Sequence, residues 1–164
     1  MLIRKMPKNP SAVQPMADVV SSETRSRMMS GIRGKNTKPE LLVRRLLHAK
    51  GFRFRIHATL SGKPDLVFPK WAAAVFVHGC FWHGHDCHLF KWPKTRLDFW
   101  RAKISGNVAR DKANVIKLCD SGWRVGVVWE CALKGRTKLD PAVVTESCSK
   151  WLKSTETSFE LAGD

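Results

Sequence analysis

The pattern of apolar and polar residues predicts one well-delimited helix in the first third of the chain. Between Thr37 and Gly51, leucines and a valine recur at the spacing of one helix face. Thr37 and Glu40 form a T-x-x-E capping box at its start, Pro39 lies in the first turn, and Gly51 supplies the stop. We therefore expect this helix to pack its apolar face onto a core.

Further helices are predicted on both sides of this one. Residues 22–33 form a short basic stretch of helical character. A long helix is expected over 95–120, where Thr95 and Asp98 repeat the capping-box spacing. The last helix is expected over 141–153. Helical residues thus flank every predicted strand region.

Four short strands are predicted from alternating or continuous apolar runs. Phe52, Phe54 and Ile56 alternate with basic residues, as in a half-buried strand. The other runs are "DLVF" (65–68), "AAAVFVH" (72–78) and "WRVGVVWE" (123–130). From the capped helix onward the order is α-β-β-β-α-β-α, which predicts an α/β fold with a mixed central sheet flanked by helices.

The length of the chain, 164 residues, fits one domain with a tail at each end. We expect a disordered tail over 1–20, a single domain over 21–153 and a loose tail over 154–164. Met16 opens a more ordinary protein start than Met1 does.

The net charge of +15 is unusual for a chain of this size and predicts a polyanionic partner, with nucleic acid first. The sequence has no apolar run long enough to cross a membrane, and its N-terminus does not have the pattern of a secretory signal. We therefore expect a cytoplasmic protein that does not associate with a membrane. In that compartment its five cysteines are read as metal ligands or core residues, not as disulfides.

Residues 78–88, "HGCFWHGHDCH", concentrate four histidines and two cysteines in eleven positions. Cys80, His85 and Cys87 have the mixed nitrogen and sulfur character that zinc favours. Cys131, just past a predicted strand, is the best candidate for a fourth ligand. His83 and His88 compete with His85 for the third place, and the spacing leaves that choice open. Cys119 and Cys148 are expected in the core.

Three carboxylates stand where chemistry is a better explanation than packing. Asp65 leads one strand and His78 ends the next, so antiparallel pairing would place a carboxylate and an imidazole together at one end of the sheet. Asp111, flanked by Asn107, falls on the core-facing stripe of the long helix, a costly position for a charge. Glu40 is a further candidate, although capping also explains it. The set suggests metal-assisted hydrolysis.

Four segments resemble the very short patch repair (Vsr) family of DNA mismatch endonucleases. They are "GKPDLVF", "VFVHGCFWHGHDCHLFKWP", "TRLDFWRAKISGNVARD" and "GWRVGVVWECAL". The resemblance extends from about residue 17 to residue 152, and the HGCFWH segment with a downstream WEC is highly specific. It implies a restriction-endonuclease-like fold related to PD-(D/E)xK enzymes, in which Pro64-Asp65 supply the first motif element and the E-x-K element is replaced by residues 76–78.

The resemblance also implies two kinds of metal site. Asp65 and the backbone carbonyl of Val77 would hold a catalytic Mg²⁺. His78 and Asp111 would order metal-bound water, and His83 would be the general base or its assistant. Family members commonly carry Thr at the position of Val77, so only the carbonyl contribution remains here. A structural Zn²⁺ would be held by the ligand set Cys80, His85, Cys87 and Cys131.

The implied substrate is double-stranded DNA with a T:G mismatch left by deamination of 5-methylcytosine, nicked 5′ to the T. Aromatic side chains would wedge into the base stack, and residues of the long helix would contact DNA. The wedge residues are Phe81, Trp82 and Trp100, and the helix residues are Lys103, Asn107 and Arg110. A polymerase and ligase would follow, a mismatch-repair matchmaker protein would be a partner, and the enzyme would be a monomer. The alternatives are a restriction-type nuclease of the same fold that cuts unmismatched DNA or another lesion, and a zinc-stabilised DNA-binding module.

Overall fold

The computed structural model describes residues 21–30 and 34–163. The helices are α1 (Ser22–Ser30), α2 (Lys38–Ala49), α3 (Leu97–Asp120) and α4 (Pro141–Lys153). The strands are β1 (Leu66–Phe68), β2 (Ala73–His78), β3 (Arg124–Trp129) and β4 (Ser158–Leu161). They form one sheet in the order β1-β2-β3-β4, antiparallel between β1 and β2 and parallel for the other two pairs. The predicted mixed α/β architecture is confirmed.

Helix α1 belongs to a separate unit of the chain, which ends at residue 32. It covers most of the basic helix predicted over 22–33. The predicted disordered tail and the two alternative starting methionines lie outside the described residues.

Side chains of β2 alternate between two hydrophobic cores, one on each face of the sheet. Val75 and Val77 pack with residues of α2 and α4 on one face. Ala74 and Phe76 pack with Leu118 of α3 on the other. All six residues of β2 are buried, as expected of a central strand covered by helices on both sides. This alternation decides on which face each residue after Val77 points.

The prediction of a strand from Phe52 to Ile56 was wrong. Only one residue of this stretch, Arg55, bridges to the sheet, through two backbone hydrogen bonds with Val67. His57 then has a φ of +57°, which turns the chain away after that single pair. Phe52 and Phe54 are nevertheless packed in or against the core that α2 and α4 cover, which explains the apolar alternation.

The C-terminal tail predicted to be loose is instead built into the sheet. Residues 158–161 form β4, which pairs in parallel with β3. The guanidinium of Arg124 donates to the carbonyls of Leu152, Ser154 and Glu156, which fixes the turn between α4 and β4. Phe159 stacks on Trp151 with ring centroids 5.3 Å apart. The segment is therefore held by both backbone pairing and aromatic packing.

The capping interaction between Thr37 and Glu40 at the start of α2 is confirmed, although the Glu40 carboxylate accepts from the backbone N–H of Asn36 in place of that of Thr37. The capping box predicted for α3 is wrong. Thr37 Oγ1 accepts from the backbone N–H of Glu40, whose carboxylate in turn accepts from the Thr37 hydroxyl. Helix α3 begins only at Leu97, after Arg96 at a φ of +53°, so Asp98 comes too early in the helix to complete a box with Thr95.

The cysteine predictions divide in the same way. Cys148, on α4, is buried in the hydrophobic core as expected. Cys119, on α3, is exposed, so the prediction that it belongs to the core was wrong. Neither cysteine forms a disulfide. Among the described residues, no helix is long and apolar enough to cross a membrane.

Candidate active site and metal centre

Two cysteines meet because two parallel strands end side by side. His78, the last residue of β2, pairs with Trp129, the last residue of β3. Cys80 and Cys131 each follow two residues later, and both are completely buried. The loop after Cys80 returns two more donors, so that the ligand atoms of all four residues lie within 4.8 Å of one another. The four are Cys80, His85, Cys87 and Cys131.

The loop that carries these ligands is held by a bond to Glu130 at its start and by a bond within the loop. The backbone N–H of Cys80 donates to the Glu130 carboxylate at 3.1 Å, and that of His85 donates to the carbonyl of Cys80 at 3.0 Å. Gly84 has a φ of +63° and lies against Ile104 of α3, where an added Cβ would come within 3.0 Å of that side chain. The loop is therefore pressed onto α3 in one defined conformation.

The surroundings of the Cys80 thiol favour its neutral form. Burial, together with the adjacent Cys131 and Cys87, raises the pKa of Cys80 well above its ordinary value. A bound divalent metal reverses this preference, since thiolate is the ligand form of cysteine. The S₃N donor set, in which Cys80 and Cys131 are buried, is the type that holds a structural metal ion.

A second group, made of His78, His83 and Asp111, forms on the opposite side of the same loop, where His78 faces α3. Because Ala74 and Phe76 pack against Leu118 on this face, the alternation of β2 sends His78 there too. Its ring stacks on that of His83, with centroids 3.8 Å apart and planes 2° apart. Asp111, two turns before Leu118, reaches the Nδ1 atom of His83 at 2.6 Å. The carboxylate on the core-facing stripe thus has a partner.

The protonation state of this group follows from its surroundings. Burial, and then the neighbouring His83, lower the pKa of His78 to about 4, while Asp111 opposes the shift. His78 is therefore neutral at pH 7. A neutral imidazole can accept a hydrogen bond from water, which a protonated one cannot.

Asp65 lies on the β1 side of the sheet, at the same end of β2 as His78, as the antiparallel pairing predicts. Its Oδ2 atom accepts from the backbone N–H of Val77 at 2.7 Å, and its own N–H donates to the carbonyl of Val75. The N–H and C=O of one strand residue point to the same side, so the carbonyl of Val77 faces the Asp65 edge as well. Two oxygen donors of the kind that Mg²⁺ prefers therefore point to the same open corner of the sheet.

The Asp65 carboxylate resists ionisation in the absence of a cation. Burial raises the pKa of Asp65 to about 6, the Val77 N–H opposes this, and the charge of nearby Glu40 raises it further. Glu40 is itself buried and pairs with Arg44 at 3.2 Å, in addition to its capping bonds. A corner with two neighbouring carboxylates is suited to a divalent cation.

An aromatic cluster extends from the same loop toward the first turn of α3. The rings of Phe81 and Trp100 lie 5.4 Å apart, and those of Trp82 and Trp100 lie 6.1 Å apart. All three side chains are only partly buried. The carbonyl of Trp82 accepts from the Asn107 side chain at 2.8 Å, so the loop is tied to α3 beside these rings.

Basic residues of α3 follow these rings along one stripe of the helix. Trp100, Lys103, Asn107 and Arg110 recur at helical spacing of three and four residues. Lys103 and Arg110 are exposed, and the guanidinium of Arg110 donates to the Asn107 side chain. A DNA backbone laid along this stripe would meet cations beside an aromatic cluster.

Two residues of the site were not predicted from the sequence. Trp129 stacks on His85 at 4.2 Å and meets the ring of His78 edge-on at 5.4 Å, so it separates the two groups. Glu130 anchors the loop at Cys80. The signal available was the segment "WEC", in which both precede a candidate ligand. His88 lies in neither group and approaches Thr137 at 3.4 Å.

Sequence comparison supplies independent information about this arrangement. Residues 17–89 match the family described as DNA mismatch endonuclease Vsr. The DNA mismatch endonuclease Vsr of Escherichia coli is 46% identical over 147 residues, which cover 89% of this chain and 94% of the relative. The nicking enzyme V.XorIIP of Xanthomonas oryzae is 52% identical over 72% of this chain and 88% of its own length. The nicking enzyme V.NmeAIP of Neisseria meningitidis is 46% identical over 74% of this chain and 87% of its own length.

The fold, the site and these relatives define a DNA endonuclease. The aligned region includes both histidine-containing groups and most of the sheet. The chain belongs to the Vsr family of DNA mismatch endonucleases, which act in very short patch repair. The family resemblance noted in the sequence is thereby confirmed.

Proposed function

We propose that this endonuclease recognises T:G mismatches produced by deamination of 5-methylcytosine and nicks the strand 5′ to the mismatched T. One observation supports the proposal most directly. Residues 77–83 carry the oxygen donor at Val77, the stacked pair His78 and His83, and the aromatic pair Phe81 and Trp82. Bond cleavage and base recognition would therefore occur within one short loop.

The corner formed by Asp65 and the carbonyl of Val77 is proposed to hold Mg²⁺. The donor set fits, because it consists of oxygens, includes a carboxylate with a raised pKa and has Glu40 nearby. When bound, Mg²⁺ supplies charge neutralisation at the scissile phosphate and at the attacking oxygen.

His83 is proposed as the general base and Asp111 as the group that orients it. Their 2.6 Å contact fixes the proton of the His83 ring on Nδ1, which leaves Nε2 free to accept a proton from water. His78, neutral and stacked beneath His83, would hold that water without competing for positive charge.

Phe81, Trp82 and Trp100 are proposed to enter the base stack beside the mismatch. Unstacking a base step costs a few kcal/mol, and a wobble pair opens at lower cost than a Watson–Crick pair. Lys103 and Arg110 would bind phosphates, and Asn107 would hold the loop in place for insertion.

The four-residue cluster is proposed to hold a structural Zn²⁺. Three thiols, two of them buried, and one imidazole fit this ion, and a closed set of four ligands leaves no position for substrate. We further propose that the sheet and its helices correspond to a PD-(D/E)xK-related architecture, and that the enzyme works as a monomer. A polymerase, a ligase and a mismatch-repair matchmaker would act with it.

Nicking of otherwise identical T:G and T:A duplexes in Mg²⁺ tests the proposal. We expect a single nick, on the T strand 5′ to the mismatch, and only in the T:G duplex. The names of two relatives as nicking enzymes support cleavage of one strand. Equal cutting of both duplexes would instead support a restriction-type nuclease, and tight binding without Mg²⁺-dependent cutting would support a DNA-binding module. Cleavage that proceeds equally in chelator would contradict the Mg²⁺ assignment.

A further inference from the structure

The C-terminal strand contacts the four-residue cluster directly. The backbone N–H of Gly163, two residues past β4, donates to the Sγ atom of Cys131 at 3.3 Å. We propose that residues 158–163 form an outer layer of the cluster that slows loss of its metal ion. The inference rests on the proposed occupancy of the cluster by zinc, and it assigns a function to a segment outside the four ligands.

Gly163 approaches the cluster more closely than any other residue type could. A Cβ atom at this position would lie 2.4 Å from the carbonyl oxygens of both Cys131 and Thr137. The Thr137 hydroxyl also donates to the Cys131 carbonyl, at 3.4 Å. Cys131 is therefore held at its sulfur by one segment and at its backbone by another, and the two segments are in contact.

A second contact reaches His85 through Trp129. The indole N–H of Trp129 donates to the carboxylate of Glu160 in β4. The Trp129 ring then stacks on His85 with an interplanar angle of 16°. Parallel pairing with β3, in which Glu160 lies opposite Val127, keeps Glu160 within reach of Trp129. The same strand thus restrains two of the four ligands.

The charge of the metal-bound cluster explains why these contacts would stabilise it. Three thiolates and one Zn²⁺ carry a net charge of −1, since the imidazole is neutral. An N–H donor directed at a thiolate sulfur disperses part of that charge, and stacking on His85 limits ring rotation. Partners that orient metal ligands from outside typically change metal affinity by about 10- to 100-fold.

The test compares Gly163→Ala with Gly34→Ala, the same change at an exposed position where an added Cβ meets no neighbour. Zinc-loaded proteins are mixed with a chromogenic chelator, and release is followed by absorbance. We expect Gly163→Ala to lose zinc about tenfold faster than the parent, because the new Cβ forces the N–H away from Cys131. Gly34→Ala should match the parent. Equal release rates for all three proteins would overturn the inference.

Thermal unfolding of the metal-free proteins separates a metal-site role from general packing. We expect Gly163→Ala to lower the melting temperature more in the zinc-loaded protein than in chelator, because the clash of the new Cβ is common to both states and the lost N–H contact is not. An equal loss in both states would overturn the inference.

A second pair of variants covers the case in which Gly163→Ala fails to fold. Glu160→Ala removes the acceptor for Trp129 and should speed release about threefold, whereas Glu160→Gln keeps an acceptor and should not. Equal release from these two variants would count against the layer. A parent protein that binds no zinc at all would overturn the proposed zinc site itself. A zinc-containing parent with unchanged variant kinetics would overturn only the role of residues 158–163.

Discussion

His78 and His83 lie face to face, with ring centroids 3.8 Å apart and planes within 2° of parallel. Two imidazoles at this distance disfavour a double positive charge, and burial already keeps the pKa of His78 near 4. The carboxylate of Asp111 is hydrogen-bonded to His83 and acts on His78 through its charge. The stack therefore combines a neutral ring with one that is hydrogen-bonded to a carboxylate.

This asymmetry predicts that Asp111 and His83 act as a unit. We expect His83→Ala to lower single-turnover nicking of a T:G duplex by about 10² to 10⁴-fold, the usual contribution of a general base. Asp111→Asn should cost a large part of this, because the amide can hold the ring in the wrong tautomer. The double variant should be no slower than His83→Ala alone. Additive losses would show that the two residues act separately, and Asp98→Asn, an exposed carboxylate on the same helix, is the control.

Asp65→Asn should abolish nicking and yet stabilise the metal-free protein. A carboxyl group whose pKa is raised from 3.8 to about 6 on folding contributes stability below pH 3.8 that is lost as the pH rises through 6. At pH 7 in chelator, the neutral amide should therefore raise the free energy of unfolding by about 1 to 3 kcal/mol. Denaturant titration at pH 7 and at pH 4 checks the sign, since the gain should vanish at the lower pH. Loss of Mg²⁺ binding should slow nicking by about 10³-fold or more.

Cys148 should make the fold sensitive to alkali. Burial raises the pKa of its thiol from 9.0 to about 12, so the unfolded chain ionises first as the pH rises. Stability is then complete below pH 9 and declines above it, by about 1 kcal/mol at pH 10. Cys148→Ala should be less stable than the parent at pH 7 because of the cavity, but its stability should fall less steeply between pH 8 and 10. Cys119→Ala, at an exposed position, should follow the parent curve throughout, and parallel curves for all three would contradict the prediction.

Trp82→Ala should weaken mismatch binding without affecting the hydrogen bond that ties the loop to α3. Asn107 donates to the backbone carbonyl of Trp82, so that bond survives the substitution. Loss of one stacking ring should weaken binding to a T:G duplex by about tenfold or more, with a smaller change on matched DNA. The control is Ile116→Ala, which also removes an exposed apolar side chain but on α3, the helix to which the Trp82 loop is tied. Fluorescence anisotropy in Ca²⁺ measures binding, and an equal loss on both duplexes would argue against the wedge.

The sequence predicted those parts of the molecule that depend on local periodicity. Helix α2 with its capping interaction, strands β2 and β3, and the meeting of Cys80 with Cys131 all follow from short patterns and from strand ends lying side by side. Asp111 was recognised because a carboxylate on an apolar stripe requires a partner, which is His83.

Long-range contacts were harder to predict. Strand β4 is short, and its apolar residues Phe159 and Leu161 alternate over only four positions. Its pairing depends on the bonds that Arg124 makes to carbonyls of the preceding turn, which no local pattern records. The partnership of Trp129 with His85 likewise arises only when the sheet forms. Conversely, Phe52 to Ile56 had the alternation of a strand but lacked a partner of matching length.

The spacing of the cluster's donors along the chain has a consequence for biosynthesis. Cys80, His85 and Cys87 leave the ribosome well before Cys131, and Gly163 follows later still. A growing chain therefore presents an incomplete ligand set until β3 has been made and paired. A chain that terminates before Cys131 lacks the fourth donor of the cluster that holds the loop after β2. We expect such fragments to be cleared as unfolded protein and to leave the genome uncut.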